Sequence, residues 1–169
     1  MKKALFETHH LYYWPNFVPI IEELKNRGDY IIHASMPKHS SIGEEKTLNK
    51  ICNELDLMFI SGGNENDRIK KIIQEAYNII IVGNVGQLNQ IVLPNTLAVM
   101  VYHGIGLKQS YYRDMDARIN IRSVESQDRF DELKGKGQKN LVLTGFTKLD
   151  PLIDLDSEEV LRLGQDLGL

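Results

Sequence analysis

Residues 79–83 read Ile-Ile-Ile-Val-Gly, a short run of β-branched side chains that stops at a glycine. Such a run is typical of a strand buried on both faces of a parallel sheet. The segment before it has apolar residues at helical spacing, at Ile69, Ile72 and Ile73. The same succession of helix and short apolar strand recurs along the chain. This predicts an α/β fold, a Rossmann-like parallel sheet with helices on both faces.

The pattern predicts seven strands with helices between them. The strands fall at 3–6, 30–34, 57–60, 79–82, 97–102, 119–122 and 141–144. The helices are centred on 17–24, 48–55, 69–76 and 125–134, and a final helix begins at a candidate capping box formed by Asp156 and Glu159. Pro15 suits the first turn of the first helix and Gly28 its end.

Composition narrows the class of protein. The chain has 169 residues, 42% of them hydrophobic and 25% charged, which is typical of one globular domain. Lys and Arg number 20 against 23 Asp and Glu, so the net charge of -3 argues against a nucleic-acid partner. The single cysteine, Cys52, excludes an intrachain disulfide and favours a cytoplasmic location. No apolar run reaches the roughly 20 residues that a membrane-spanning helix needs.

Ligands of open α/β sheets bind beyond the carboxyl ends of the strands. Five predicted loops follow strands in this way: 9–10, 61–64, 83–86, 103–108 and 145–150. The glycines of the second and third loops are interpreted as turn residues, because loops generally favour glycine.

The loop at 103–108 carries the most chemistry. His103 follows a predicted strand, and a neutral imidazole there could take a proton from a hydroxyl. Lys108 and the nearby Arg113 could hold a phosphate. The alternative, a histidine that caps a strand-end carbonyl beside a solvated lysine, stays open on spacing alone.

His9 and His10 form a second candidate site. Adjacent side chains point in different directions, so one of the two is expected to line the cleft while the other packs. The aromatic run at 12–14 is interpreted as core or helix-entry packing rather than as a site for a ring or a lipid-like group.

Several site classes lack their motifs. Neither Gly-x-Gly-x-x-Gly after the first strand nor Gly-x-x-x-x-Gly-Lys-Ser/Thr is present, which argues against an NAD dehydrogenase and a P-loop NTPase. A Gly-x-Ser-x-Gly elbow is absent too, which argues against a serine hydrolase of that type. Asp114 and Asp116 form a D-x-D pair, but such spacing is common on solvated loops. No metal and no cofactor are therefore predicted.

Two motifs together resemble a known family. The segment at 103–108, His-Gly-Ile-Gly-Leu-Lys, resembles the His-Gly-x-x-x-Lys segment of the CDP-glycerol:glycerophosphate glycerophosphotransferases, which build teichoic-acid-type cell-wall polymers. The segment at 144–152 resembles that family's later Gly-x-Pro-Arg-x-Asp motif in order and distance. Thr147 replaces the usual proline and Lys148 the usual arginine, so the charge is kept but the bidentate fork is lost.

The resemblance implies a transferase that moves a polyol phosphate from a CDP-activated donor to the hydroxyl of a polyol-phosphate or lipid-linked acceptor. His103 would be the general base. The other implied or expected substrate-binding residues are His9, His10, Gly104, Lys108, Arg113, Gly145, Lys148 and Asp150.

The same resemblance implies the N-terminal half of a GT-B architecture, in which two Rossmann-like domains enclose a cleft. Residues 1–155 would form the acceptor-side domain and 156–169 the start of an interdomain helix or linker, without the donor-binding domain. The isolated chain is then expected to be inactive. It is also expected to meet the inner face of the membrane peripherally, or to pair with a second copy through the face that a second domain would cover.

Two alternatives stay open. One is another sugar-nucleotide enzyme of GT-B type, such as a UDP-N-acetylglucosamine 2-epimerase-like protein or another glycosyltransferase. The other is a binding module without catalytic activity, because a base without a donor site cannot turn over.

Overall fold

The computed structural model describes residues 1–86, 88–102 and 118–152, together with positions 162 and 165. Within these residues, seven strands form one parallel sheet: β1 (Lys2–Glu7), β2 (Tyr30–Ser35), β3 (Met58–Ile60), β4 (Ile79–Val82), β5 (Leu97–Val101), β6 (Ile121–Val124) and β7 (Leu141–Leu143). The α-helices are α1 (Trp14–Arg27), α2 (Ile42–Glu54), α3 (Glu65–Glu75), α4 (Leu88–Ile91) and α5 (Gln127–Gly135). Two 3-10 helices add Leu11–Tyr13 and Thr147–Leu152.

The helices begin and end at residues with the expected chemistry. The side chains of Ser41, Asn64 and Ser126 accept hydrogen bonds from backbone N–H groups in the first turns of α2, α3 and α5. Pro15 lies in the first turn of α1, and Gly28 ends that helix at a φ of 72°. The predicted limits of α1 are therefore confirmed.

Two apolar layers cover the sheet, because alternate residues of each strand point to opposite faces. Ala4 and Phe6 of β1 belong to one layer with Phe17 of α1 and Leu48 of α2. Leu5 belongs to the other layer, with Ile72, Ile80 and Leu133 among its members. The predicted Rossmann-like sheet with helices on both faces is confirmed.

The structure differs from the predicted elements in a few places. β6 begins at Ile121 rather than at Ile119, because the side chain of Asn120 accepts a hydrogen bond from the backbone N–H of Ala98 just before the strand. α4 and the 3-10 helix at Thr147–Leu152 were not predicted, since each is too short to show a period. The start of the predicted final helix, at 156, lies outside the described residues.

The strand order is β3-β2-β1-β4-β5-β6-β7. Strands β2 and β3 are therefore added on one side of β1, and strands β4 to β7 on the other side. Loops that leave β1 and β4 turn to opposite sides, which opens a crevice between their carboxyl ends. This reversal point is the position at which the fold most readily binds a ligand.

Candidate functional site

His9 lies at this reversal point. It follows β1 and is 5% exposed, and its ring lies against the turn after β4. A Cβ atom at Gly86 would stand 1.9 Å from His9 Nε2, so only glycine allows this approach. Neither ring nitrogen of His9 has a hydrogen-bond partner within the described residues. Buried polar groups without a hydrogen-bond partner are rare in proteins, and some of them have a catalytic role.

Burial and, to a smaller extent, the nearby His39 ring lower the pKa of His9 from 6.5 to about 4. The centroids of these two rings are 5.7 Å apart. His9 is therefore neutral at neutral pH. A neutral imidazole can accept a hydrogen bond from a hydroxyl.

Asn84 lies beside His9 in the turn after β4. Its Oδ1 atom is 3.1 Å from the position of a Cβ at Gly86 and has no partner within the described ranges. Its Nδ2 atom donates to the hydroxyl of Tyr13 at 3.0 Å, and Tyr12 donates to the same hydroxyl at 2.9 Å. The turn at 83–86 thus places an unsatisfied amide oxygen next to the unsatisfied histidine.

A buried ionic network supports this edge of the sheet. The side chain of Arg68 in α3 is 0% exposed and bridges Glu7 of β1, at 2.9 Å, and Glu65, at 2.6 Å. Arg68 also donates to Ser35 Oγ at the end of β2, at 2.8 Å. Burial raises the pKa of Glu7, and the Arg68 guanidinium offsets part of that rise. The network ties β1, β2 and α3 together beneath the loops that carry the site.

Lys38, in the loop after β2, is paired in the same way. Its Nζ lies 2.6 Å from Glu45 Oε1 and 3.1 Å from Ser61 Oγ, and its backbone N–H donates to Glu65. Lys38 and Arg68 are therefore each paired with a carboxylate. Next to them, the unsatisfied groups of the described residues include the neutral His9 ring, with one donor and one acceptor nitrogen, and the amide oxygen of Asn84.

The two adjacent histidines lie in different surroundings, and their role in substrate binding stays a prediction. His9 is enclosed at the reversal point, whereas His10 is exposed and lies 3.5 Å from Glu44 through its Nδ1 atom. The interpretation of 12–14 as packing holds for Tyr13 and Trp14, each 4% exposed, and is wrong for Tyr12, which is 57% exposed. Tyr12 belongs to the short 3-10 turn before α1, and this turn directs it away from the core.

The loop at 145–150 lies against α1. Thr147 Oγ1 donates to the backbone carbonyl of Asn16 at 2.8 Å, and Lys148 Nζ lies 4.3 Å from the centroid of the Phe146 ring. Lys148 and Asp150 are exposed, and Gly145 adopts a φ of 81°. Within the described residues, no contact joins this loop to His9. The substrate-binding roles of Gly145, Lys148 and Asp150 therefore stay predictions.

The predicted site residues of the 103–108 region lie outside the described residues. This applies to His103, Gly104, Lys108 and Arg113, and to the D-x-D pair of Asp114 and Asp116. Among the residues that are described, no group of three or more His, Cys, Asp or Glu side chains could hold a metal ion. No helix in the described ranges is both long and apolar enough to cross a membrane.

Sequence reasoning missed Arg68, Glu7 and Asn84. Glu7 carried a signal, because a carboxylate that directly continues the apolar strand Ala4-Leu5-Phe6 is expected to need a buried partner. Its partner is 61 residues away, and no local pattern identifies it.

The comparisons with known proteins identify the fold. No protein-family model and no curated protein matches the chain. Solved structures do match it. UDP-GlcNAc 2-epimerase from Neisseria meningitidis, bound to UDP-GlcNAc, has a TM-score of 0.58 and 11% identity over 97% of this chain. A putative UDP-N-acetylglucosamine 2-epimerase from Listeria monocytogenes has a TM-score of 0.56 and 12% identity over 97%. The hypothetical protein SMU.573 from Streptococcus mutans has a TM-score of 0.54 and 14% identity over 82%.

The chain spans about half the length of each of these proteins, between 51% and 53%. At these identities the likeness shows the fold alone. The chain shares its Rossmann-like fold with the matching parts of these structures.

Replacing Gly86 with alanine tests the packing at His9. The new Cβ would clash with the His9 ring. We therefore expect the free energy of unfolding of this variant to be about 1–3 kcal/mol lower than that of a matched control. Gly137→Ala is that control. Gly137 also has a positive φ, of 83°, but has open space around it, so alanine there adds backbone strain without a clash. Urea unfolding measures both. Equal losses in the two variants would show that the ring does not lie against residue 86.

Proposed function

We propose that this chain is the acceptor-side Rossmann-like domain of a GT-B enzyme that transfers a polyol phosphate from a CDP-activated donor to an acceptor hydroxyl. One observation carries the proposal. A buried neutral imidazole with two unsatisfied nitrogens, His9, lies at the strand-order reversal next to an unsatisfied amide oxygen. A hydroxyl group can donate to the amide oxygen or to the acceptor nitrogen of the ring, and it can accept from the ring N–H.

In this proposal the acceptor binds at the turn of 83–86. The turn encloses His9 in the structure, so a ligand hydroxyl that bonds to the ring displaces Gly86 from it. His9 and Asn84 then gain the hydrogen bonds that they lack. Because the cost of two buried unsatisfied groups is relieved on binding, the site favours a hydroxylated ligand.

The chemistry is assigned to His103 through the family resemblance. The acceptor oxygen attacks the phosphorus of the donor, the bond from phosphorus to the CMP oxygen breaks, and CMP leaves. The proton of the acceptor hydroxyl passes to His103. Lys108 and Arg113 would neutralise phosphate oxygens, with Lys148 at the rim, while Gly104, Gly145 and Asp150 would shape the loops around the substrate. A lipid-linked acceptor would bring this enzyme to the inner face of the membrane, and a homodimer could cover the face that otherwise meets a second domain.

A second candidate function is a sugar-nucleotide epimerase. The fold likeness to two epimerases favours it, and one of them is bound to UDP-GlcNAc. The two functions differ in substrate, because an epimerase recognises a UDP-sugar and the transferase a polyol phosphate. A binding module without activity would bind one of these compounds and convert none.

The test is an NMR titration of this chain with glycerol 3-phosphate, CDP-glycerol, CDP-ribitol and UDP-GlcNAc. We expect the polyol phosphates to shift the signals of His9, Asn84 and Gly86, and His9→Gln to weaken their binding about tenfold, the loss of one good hydrogen bond. The His33 ring, which is buried and bonded to Tyr77, is the internal control and should not shift.

Two results would contradict the proposal. Selective binding of UDP-GlcNAc at His9 would favour the epimerase. If no ligand shifted the NMR signals of His9, Asn84 and Gly86, these residues would not form a binding site. CMP release by this chain alone is expected to stay at the rate of a blank.

A further inference from the structure

The sheet is incomplete beside the first half of β2. This strand has six residues, and the edge strand β3 pairs only with its last three, residues 33–35. Residues 30–32 pair with β1 on one side, and on the other side no strand of the described chain lies next to them. We call residues 30–32 the open edge of β2. An unpaired strand edge is a template for pairing with another extended chain.

The open edge turns backbone groups outward at alternate residues. The carbonyls of Asp29 and Ser35 accept hydrogen bonds from β1 and from the residue directly after it. Since backbone groups alternate in direction along a strand, the odd-numbered residues of β2 face β1, and the N–H groups of Tyr30 and Ile32 face the open side. The chain before β3 does not pair with them, because Asp56 turns away at a φ of 51° and donates its N–H back to α2.

A cavity of about 540 Å³ lies at the open edge, lined by residues 30–33, residues 56–58 and Lys25. This volume is typical of ligand pockets. Met58 is 57% exposed and Ile31 is 36% exposed. Many proteins protect a free strand edge with charged side chains, but here the side chains beside the open backbone are apolar.

These apolar side chains share one face of the sheet. Met58 pairs with His33, and Ile31 is two residues before His33, so all three side chains point to the same side. A strand added at the open edge would therefore place every second side chain on the face that carries Ile31 and Met58.

The charges of the lining favour an uncharged occupant. Lys25 and Asp56 are both exposed and have opposite charges. Burial lowers the pKa of His33 below 6.5, so its ring is neutral at neutral pH. The lining thus has no net charge, and a strongly charged segment of either sign gains little there. An apolar segment gains free energy by removing its side chains and those of the lining from water.

The length of the open edge limits the size of the occupant. Three residues of a strand span about 10 Å, so an added strand pairs over about three residues. Such a contact is much smaller than the roughly 1,200 Å² that a specific interface between folded proteins buries, which argues against a second copy of this chain. A short extended peptide segment needs only the backbone pairing and pockets for alternate side chains.

We infer that the open edge of β2 binds a short, extended, uncharged peptide segment with apolar side chains, which adds a strand to the sheet in line with β3. Carbonyl groups of the segment accept hydrogen bonds from the N–H groups of Tyr30 and Ile32, and its alternate side chains contact Ile31 and Met58. This inference does not depend on the proposed function, because the open edge lies at the amino end of β2 and the proposed acceptor site lies beyond the carboxyl ends of the strands.

The experiment titrates this chain with the capped tripeptide acetyl-Leu-Thr-Leu-amide and measures amide hydrogen exchange by NMR. At a peptide concentration ten times the Kd, we expect exchange at the Ile32 N–H to slow about tenfold, because the bound segment covers it. The Ile31 N–H faces β1 and is the internal control, so its exchange should not change. Acetyl-Leu-Pro-Leu-amide lacks the central N–H and should bind about tenfold more weakly, the loss of one hydrogen bond.

Met58→Lys tests the same site from the protein side. A lysine on a strand edge opposes pairing, so we expect this variant to bind the threonine peptide about tenfold more weakly. Val142→Lys is the matched control, because Val142 is 45% exposed on β7 at the opposite edge of the sheet. It should leave the binding unchanged.

Several results would overturn the inference. They are equal binding of the threonine and proline peptides, equal effects of the two lysine variants, and peptide binding that leaves exchange at Ile32 unchanged. Exchange at Ile32 that slows with protein concentration in the absence of peptide would assign the open edge to a second copy instead. Each of these results leaves the proposed role of His9 untouched, since that role is tested by signals at the other end of the strands.

Discussion

Replacing Arg68 with methionine is expected to lower the free energy of unfolding by about 3–5 kcal/mol, because it removes one partner of a buried ion pair. The Arg68 side chain is 0% exposed, and its loss leaves Glu7 in an apolar setting with Glu65 nearby. Urea unfolding at pH 7 measures the change. Arg27→Met is the matched control, since Arg27 forms an exposed pair with Glu23, and it should change stability by less than about 0.5 kcal/mol.

The double variant separates charge from packing. If the cost comes from the unpaired carboxylate, the double variant Glu7→Gln, Arg68→Met should lose clearly less free energy of unfolding than the sum of the losses in the two single variants.

The pH dependence of the Arg68→Met effect supplies a second check. A carboxyl whose pKa is raised in the folded state stabilises the protein most below its unfolded pKa, so the deficit of Arg68→Met should narrow as the pH falls from 7 towards 4.5. A deficit that is additive and independent of pH would contradict an electrostatic origin.

Acidification should destabilise the protein through His9. Its pKa is about 4 in the folded state and 6.5 as a free side chain, so the unfolded chain binds a proton more readily between these values. The contribution of His9 is therefore complete above pH 6.5 and is lost as the pH falls, by about 3 kcal/mol at pH 4. Unfolding curves at pH 7 and at pH 4 measure the loss.

His9→Gln isolates this effect. Glu44, Glu45 and Glu65 also lose stabilisation in acid, because their pKa values are lowered, and they do so equally in both proteins. The opposite contribution of Glu7 cancels in the same way. The difference in the free energy of unfolding between wild type and His9→Gln should consequently change between pH 6.5 and 4. Parallel stability profiles would place the imidazole in water rather than under the turn at Gly86.

The elements of this fold were predictable where the sequence pattern is local. The β-branched run at 79–82 became β4 at the same residues, and Pro15 and Gly28 mark the ends of α1. Boundaries shifted where a side chain competes with the ladder, as Asn120 does before β6. The Rossmann-like class follows from alternation alone, whereas the strand order requires knowledge of which strands pair.

The candidate site was predictable in its place and only partly in its members. His9 could be found because it follows a buried strand. Arg68 and Asn84 could not be found in this way. In the sequence, Arg68 is an ordinary polar position of an amphipathic helix and Asn84 an ordinary turn residue. Only the fold brings Arg68 to β1 and Asn84 to His9. Tyr12 illustrates the opposite error, since three consecutive aromatic residues do not share one environment at a helix entry.

The contact between Thr147 and Asn16 joins residues 131 positions apart and connects the turn after β7 to α1. β1 likewise stays half-paired until β4, more than 70 residues later, reaches it. Non-local pairings of this kind delay the transition state, because loop-closure entropy must be overcome first. During synthesis on the ribosome, β1 therefore emerges long before β4, and the sheet acquires its cooperative stability only after the later strands have also emerged.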